Sequence, residues 1–142
     1  MLKKSASVCL TILLLLLTLC APVGAATAPE EDTATPRYTH FGAVSINLSI
    51  DALGCATATG VIQGRPGVTT GIKAVLQKYN SSNGTWSDIK TFNASSTDYN
   101  CLLSGSYYVA RGTYRVYAEF YAFNNTGVCV EAVVDYSPIK DY

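Results

Sequence analysis

The sequence contains one histidine, one tryptophan and few charges. Basic and acidic residues number 10 each, together only 14% of the chain. No cluster of lysine and arginine supplies the basic footprint that nucleic acid requires, or the polybasic patch that draws a segment to a membrane surface. With His40 as the sole imidazole, a serine or cysteine nucleophile has one partner to choose from, and it sits where the folded region begins. No catalytic residue is assigned on that basis. Past the first 25 residues only three cysteines occur: Cys55, Cys101 and Cys129. They have no histidine between them and match no metal-ligand spacing, so neither a metal nor a cofactor is expected. That same region has no long apolar run and no 3.6-residue periodicity, which argues against a second membrane-directed segment and against helices.

The one long apolar run lies at the start. Lys3 and Lys4 precede the stretch Val8–Cys20, which includes the five leucines Leu13–Leu17. Val23-Gly24-Ala25 follows as a small-residue cleavage pattern. This is the layout of a secretory signal peptide over 1–25. Leu19 before Cys20 does not fit a lipid-modified cysteine, so ordinary cleavage and a secreted protein, free or held at the cell surface, are expected. No transmembrane segment is expected after cleavage. Removal of Lys3 and Lys4 leaves 8 basic against 10 acidic residues, a net charge near −2. Residues 26–37, small, acidic and proline-punctuated, read as a disordered spacer. Residues 38–142 then form one domain, long enough for a single core.

Within that domain the period is two. In "AVSINLSI" Val44, Ile46, Leu48 and Ile50 face one way and Ser45, Asn47 and Ser49 the other. "CATATGVI" puts Ala56, Ala58, Gly60 and Ile62 inward. "GIKAVLQKY" does so with Ile72, Ala74 and Leu76, and "YNCLLSGSYYV" with Cys101 and Leu103. "WSDIKTF" and "VCVEAVVDY" are two more strands. "DALG", "GRPG", "NSSNGT", "NASSTD" and "NNTG" separate the strands as turns and loops. About seven short strands with no helices between them predict an antiparallel, immunoglobulin-like β-sandwich. Five Asn-x-Ser/Thr sequons, at Asn47, Asn80, Asn83, Asn93 and Asn124, are read as polar positions rather than glycan sites.

"GTYRVYAEFYAF" (112–123) sharpens the picture. Tyr114, Val116, Ala118, Phe120 and Ala122 form a buried set. Tyr114 stands two residues before an inward valine, the position of a tyrosine corner. Trp86 is an expected core residue. The opposite set holds Arg115, Tyr117, Glu119, Tyr121 and Phe123: both charges and three aromatics on the side that should face water. Tyr107 and Tyr108 are expected to extend this stripe. Tyrosine offers a large apolar ring with a polar tip, which suits contact surfaces.

The chain also resembles a group of small exported proteins of clostridial-type Gram-positive bacteria that carry a domain of unknown function. The likeness runs over residues 35–142, through "TPRY", "GCATATGVIQG", "LQKYNSSNGTWSDIKTF" and "GSYYVARGTYRVYAEFYAF". It implies an exported β-sandwich and no catalytic residues. The group's cysteine falls where Ala58 stands here, and its members carry polar or basic residues in place of Tyr117 and Tyr121.

The expected function is a non-enzymatic binding module that contacts an extracellular protein or a cell-surface glycan through Arg115, Tyr117, Tyr121 and Phe123. One alternative is a small secreted glycan hydrolase using acids on the last two strands, with Glu119 and Glu131 facing each other across a hairpin. Another is a bacteriocin-like secreted factor. The remaining acids, Asp51, Asp88, Asp98 and Asp135, are scattered. Cys101 is expected inward and Cys55 outward, and no disulfide pairing among the three cysteines is assigned.

Overall fold

The computed structural model describes residues 37–142. The expected signal peptide, 1–25, and all of the expected spacer except Arg37 lie outside the described residues. Every regular element in residues 37–142 is a strand: β1 (Phe41–Ile50), β2 (Cys55–Gly64), β3 (Thr69–Asn80), β4 (Thr85–Ser96), β5 (Asn100–Tyr108), β6 (Thr113–Phe123), β7 (Cys129–Tyr136) and the two-residue β8 (Lys140–Asp141). They form two antiparallel sheets, one in the order β1-β2-β5 and the other β4-β3-β6-β7, with β8 pairing the start of β6. The result is an immunoglobulin-like β-sandwich. In the constant-type arrangement the fourth strand pairs with the fifth. Here β4 pairs with β3 instead, which widens the second sheet.

The turns follow from local chemistry. Asp51 ends β1, and its side chain accepts the N–H groups of Leu53 and Cys55 at 2.8 and 2.9 Å. Gly54 then turns the chain at φ 83°, a conformation that costs glycine little. The Asn83 and Asn124 side chains cap the β3–β4 and β6–β7 turns in the same way.

The core is the set that alternation marks. Ile46, Leu48, Ala56, Ala58, Ile62, Ile72, Ala74, Leu76, Cys101 and Leu103 are all buried, as are Tyr114, Val116, Ala118, Phe120 and Ala122. Burying a side chain the size of Phe120 is worth about 1.5–3 kcal/mol. The corner forms as well. The Tyr114 hydroxyl donates to the Ala110 carbonyl, four residues upstream, at 2.7 Å. Where Pro138 interrupts the last strand, Ser137 keeps the ladder intact: its N–H donates to the Val116 carbonyl and its Oγ accepts the Val116 N–H.

Two expectations are corrected. "NASSTD" is not all loop, since β4 runs on to Ser96 and Asn93–Ser96 pair with Thr70–Lys73 of β3. Backbone pairing along the full length of β3 outweighs the turn composition of those residues. Trp86 is not in the core. It lies opposite Tyr79 on the outer face, half-buried. The cause is a bulge: Leu76 pairs with Lys90 and Gln77 with Asp88, so Ile89 is one residue too many. An extra residue inverts the facing of everything before it. Phe92 therefore packs inward, against Gly105 of β5, where any Cβ would come within 2.3 Å of its ring. Trp86, six residues earlier, points out.

Candidate binding face

The outer face of the larger sheet carries the expected stripe, and strand register decides its neighbours. Arg115, Tyr117, Glu119, Tyr121 and Phe123 of β6 stand opposite Gln77, Val75, Lys73, Gly71 and Thr69 of β3. On the other side Tyr117, Glu119 and Tyr121 stand opposite Tyr136, Val134 and Ala132 of β7. The β6 residues are half-buried rather than open. Val75, opposite Tyr117, points away from the core and is still only 5% exposed.

Arg115 is clamped. Its guanidinium carbon lies 4.2 Å from the centre of the Trp86 ring and 4.5 Å from that of Tyr136. Its Nε donates to Gln77 at 2.9 Å, and the Gln77 amide donates to Asp88 at 2.8 Å. Tyr79 packs on Trp86 at 5.1 Å and Tyr117 on Tyr136 at 5.5 Å between ring centres. A cation between two ring faces is drawn to both quadrupoles, and a planar guanidinium also stacks, which an ammonium cannot do. The rings are thereby held in place from four strands.

Glu119 organises the other half. Both the Tyr117 and the Tyr121 hydroxyl donate to its carboxylate, the first at 2.6 Å. Lys73 lies 3.3 Å away. The two phenol bonds, with help from Lys73 and against some desolvation, hold the Glu119 carboxyl below its ordinary range. The same bonds, reinforced by burial and by the negative charge, push Tyr117 and Tyr121 each up to about 12. Phe123 stacks beside Tyr121 at 6.0 Å and 30°.

Sequence reasoning missed Trp86, Tyr79, Tyr136, Lys73 and Gln77 as members of this face. Alternation in "GIKAVLQKY" would have put Lys73, Gln77 and Tyr79 together, but nothing local says that β3 adjoins β6. Tyr107 and Tyr108 do not extend the stripe. They belong to β5 in the other sheet, opposite Ala56 and Cys55.

Glu119 and Glu131 do not face each other. The β6–β7 hairpin forms, but Glu131 lies opposite Ala122, whose side chain is buried on the core side, while Glu119 lies on the outer face. The Glu131 carboxylate accepts the backbone N–H groups of Thr39 and His40 at 3.0 and 2.6 Å, anchoring the start of the domain. Asp98 and Asp135 accept neighbouring backbone N–H groups, as Asp51 does. Among the described residues no three histidine, cysteine or acidic side chains converge. Cys55, Cys101 and Cys129 are free thiols. Cys55 and Cys101 sit at opposite ends of the β2–β5 ladder, opposite Tyr108 and Ile62. At about 3.3 Å per residue that separation is beyond any disulfide. Burial raises the Cys101 thiol above its ordinary value, while Cys129 is exposed.

Comparison with protein-family models, curated proteins and solved structures finds no match to this chain.

Proposed function

We propose that the protein is an exported, non-enzymatic binding module that contacts an extracellular protein or a cell-surface glycan through the outer face of its β4-β3-β6-β7 sheet. The observation that carries this reading is the clamp of Arg115 between Trp86 and Tyr136. Tryptophan, tyrosine and arginine dominate the binding energy of contact surfaces. Rings already fixed in place lose little further freedom on binding. Export rests on the leader-like first 25 residues and on the resemblance to the clostridial-type group. The hydrolase alternative depends on a carboxylate pair that the hairpin register separates, and no observation favours a bacteriocin-like factor.

The test is retention of the purified protein on immobilised host-surface extract and on cell-wall glycans. Tyr117→Ser with Tyr121→Ser is expected to keep the β-sheet circular dichroism and to lose retention. Unchanged retention by that folded variant would remove the stripe from the mechanism.

A further inference from the structure

Beside the Glu119 cluster, the outer face is indented. A groove of about 250 Å³ runs over β3, lined chiefly by Gly71, Lys73, Asn93, Ser95, Tyr121 and Phe123. Its existence follows from one residue. Gly71 lies between Tyr121 of β6 and Ser95 of β4, with its missing side chain directed outward. A Cβ placed there would meet nothing closer than the Ala94 carbonyl oxygen at 3.5 Å and the Phe123 ring at 3.8 Å. Any larger residue would fill the floor.

The two walls differ in chemistry. On the β6 side stand the stacked rings of Tyr121 and Phe123, and the bond to Glu119 fixes the orientation of Tyr121. On the β4 side stand the Asn93 amide and the Ser95 hydroxyl, whose side chains make no hydrogen bond to the rest of the described residues. At the Lys73 end, one register step along, the lysine side chain is 45% exposed, and its ammonium has N–H groups to spare beyond its contact with Glu119. The walls belong to strands two ladder spacings apart, about 9.6 Å. Lys73 and Glu119 cancel, so the groove has no net charge.

We propose that this groove is a subsite for a neutral pyranose residue of an extracellular glycan. A pyranose is amphipathic in the same sense as the groove. Its C–H face stacks on Tyr121 and Phe123, and its edge hydroxyls meet the Asn93 amide, the Ser95 hydroxyl and the Lys73 ammonium. An anionic sugar is disfavoured, because Glu119 already occupies Lys73. The assignment deepens the binding reading above and depends on it. One open subsite for one sugar ring corresponds to a dissociation constant on the order of 1 mM.

The test is an NMR titration of the purified protein with cellohexaose, xylohexaose and chitohexaose, with oligogalacturonate as the charged comparison. At least one neutral probe is expected to shift the Gly71, Asn93, Ser95 and Tyr121 amides saturably. Gly71→Val is expected to weaken that binding at least tenfold. Asn93→Ala removes only a side chain that makes no hydrogen bond to the described residues and leaves the backbone pairing with Lys73 in place, so it is expected to keep the fold and to weaken binding several-fold. Silence of these amides with all three neutral probes, undiminished binding by both variants, or tighter binding of oligogalacturonate would each overturn the assignment. If the sugars are silent while a defined surface protein binds and is lost with Tyr117→Ser and Tyr121→Ser, the groove assignment falls and the binding face stands. If neither sugar nor protein is held, both fall.

Discussion

Replacing Arg115 with methionine tests whether the clamp holds the face together. Methionine keeps an unbranched apolar stem but loses the guanidinium. The loss has three parts. Two cation–ring contacts at a half-buried site are worth about 0.5–1 kcal/mol each. The bond from Arg115 Nε to Gln77, 2.9 Å long, adds about 0.5–1 kcal/mol. Together they predict a destabilisation of about 2 kcal/mol. With an m-value of about 1.5–2 kcal/mol per molar urea, the unfolding midpoint falls by roughly 1 M. Arg115→Lys keeps the charge without the planar stack, and is expected to lose about half as much. The assay is built into the sequence. Trp86 is the only tryptophan, so its fluorescence follows unfolding and the clamp at once, and iodide should quench it more readily in both variants. A double-mutant cycle of Arg115→Met with Trp86→Leu should return a coupling of about 0.5–1 kcal/mol, since the two groups touch. An unchanged midpoint together with zero coupling would refute the reasoning and reduce the clamp to a chance overlap of surface side chains.

Two further outcomes are expected. Glu119→Gln removes the anion that raises Tyr117 and Tyr121, so the absorbance titration at 295 nm should lose ionisation near pH 12 and gain it nearer 10, by two phenols. The sign for stability follows: the raised phenols stabilise the fold fully below about pH 10 and lose that contribution as pH rises through about 12. The lowered Glu119 carboxyl contributes above about pH 4.3 and loses its contribution as pH falls through its folded value. Glu119→Gln should therefore flatten both limbs of a stability–pH curve, and a curve identical to the parent's would contradict the network. Tyr114→Phe removes the corner bond to Ala110 and is expected to cost about 1 kcal/mol, read as a lower thermal midpoint.

The strands, their inward faces and the corner were legible because alternation is a property of the extended backbone itself. Val116, Ala118 and Phe120 had to share a face wherever β6 ended up, and the small and β-branched residues of β2 and β3 had to meet them. The same reasoning assigned Cys101 inward. It failed at Trp86, because one residue of bulge at Ile89 reverses facing and nothing in "WSDIKTF" marks the slip. It failed at Tyr107 and Tyr108, because strands close in sequence need not share a sheet.

For the site, alternation within β6 is enough to set Arg115, Tyr117, Glu119, Tyr121 and Phe123 on one outward row. What surrounds that row comes from the packing of β6 against its neighbours. Placing β6 between β3 and β7 brought Tyr136 to one side of Arg115. The pairing of β3 with β4, through its bulge, brought Trp86 to the other. The same placement set Lys73 against Glu119 and left Gly71 as a gap beside Tyr121. Facing is fixed by covalent geometry over two residues. Adjacency is fixed by which strands bury the common core, and that depends on the whole chain at once.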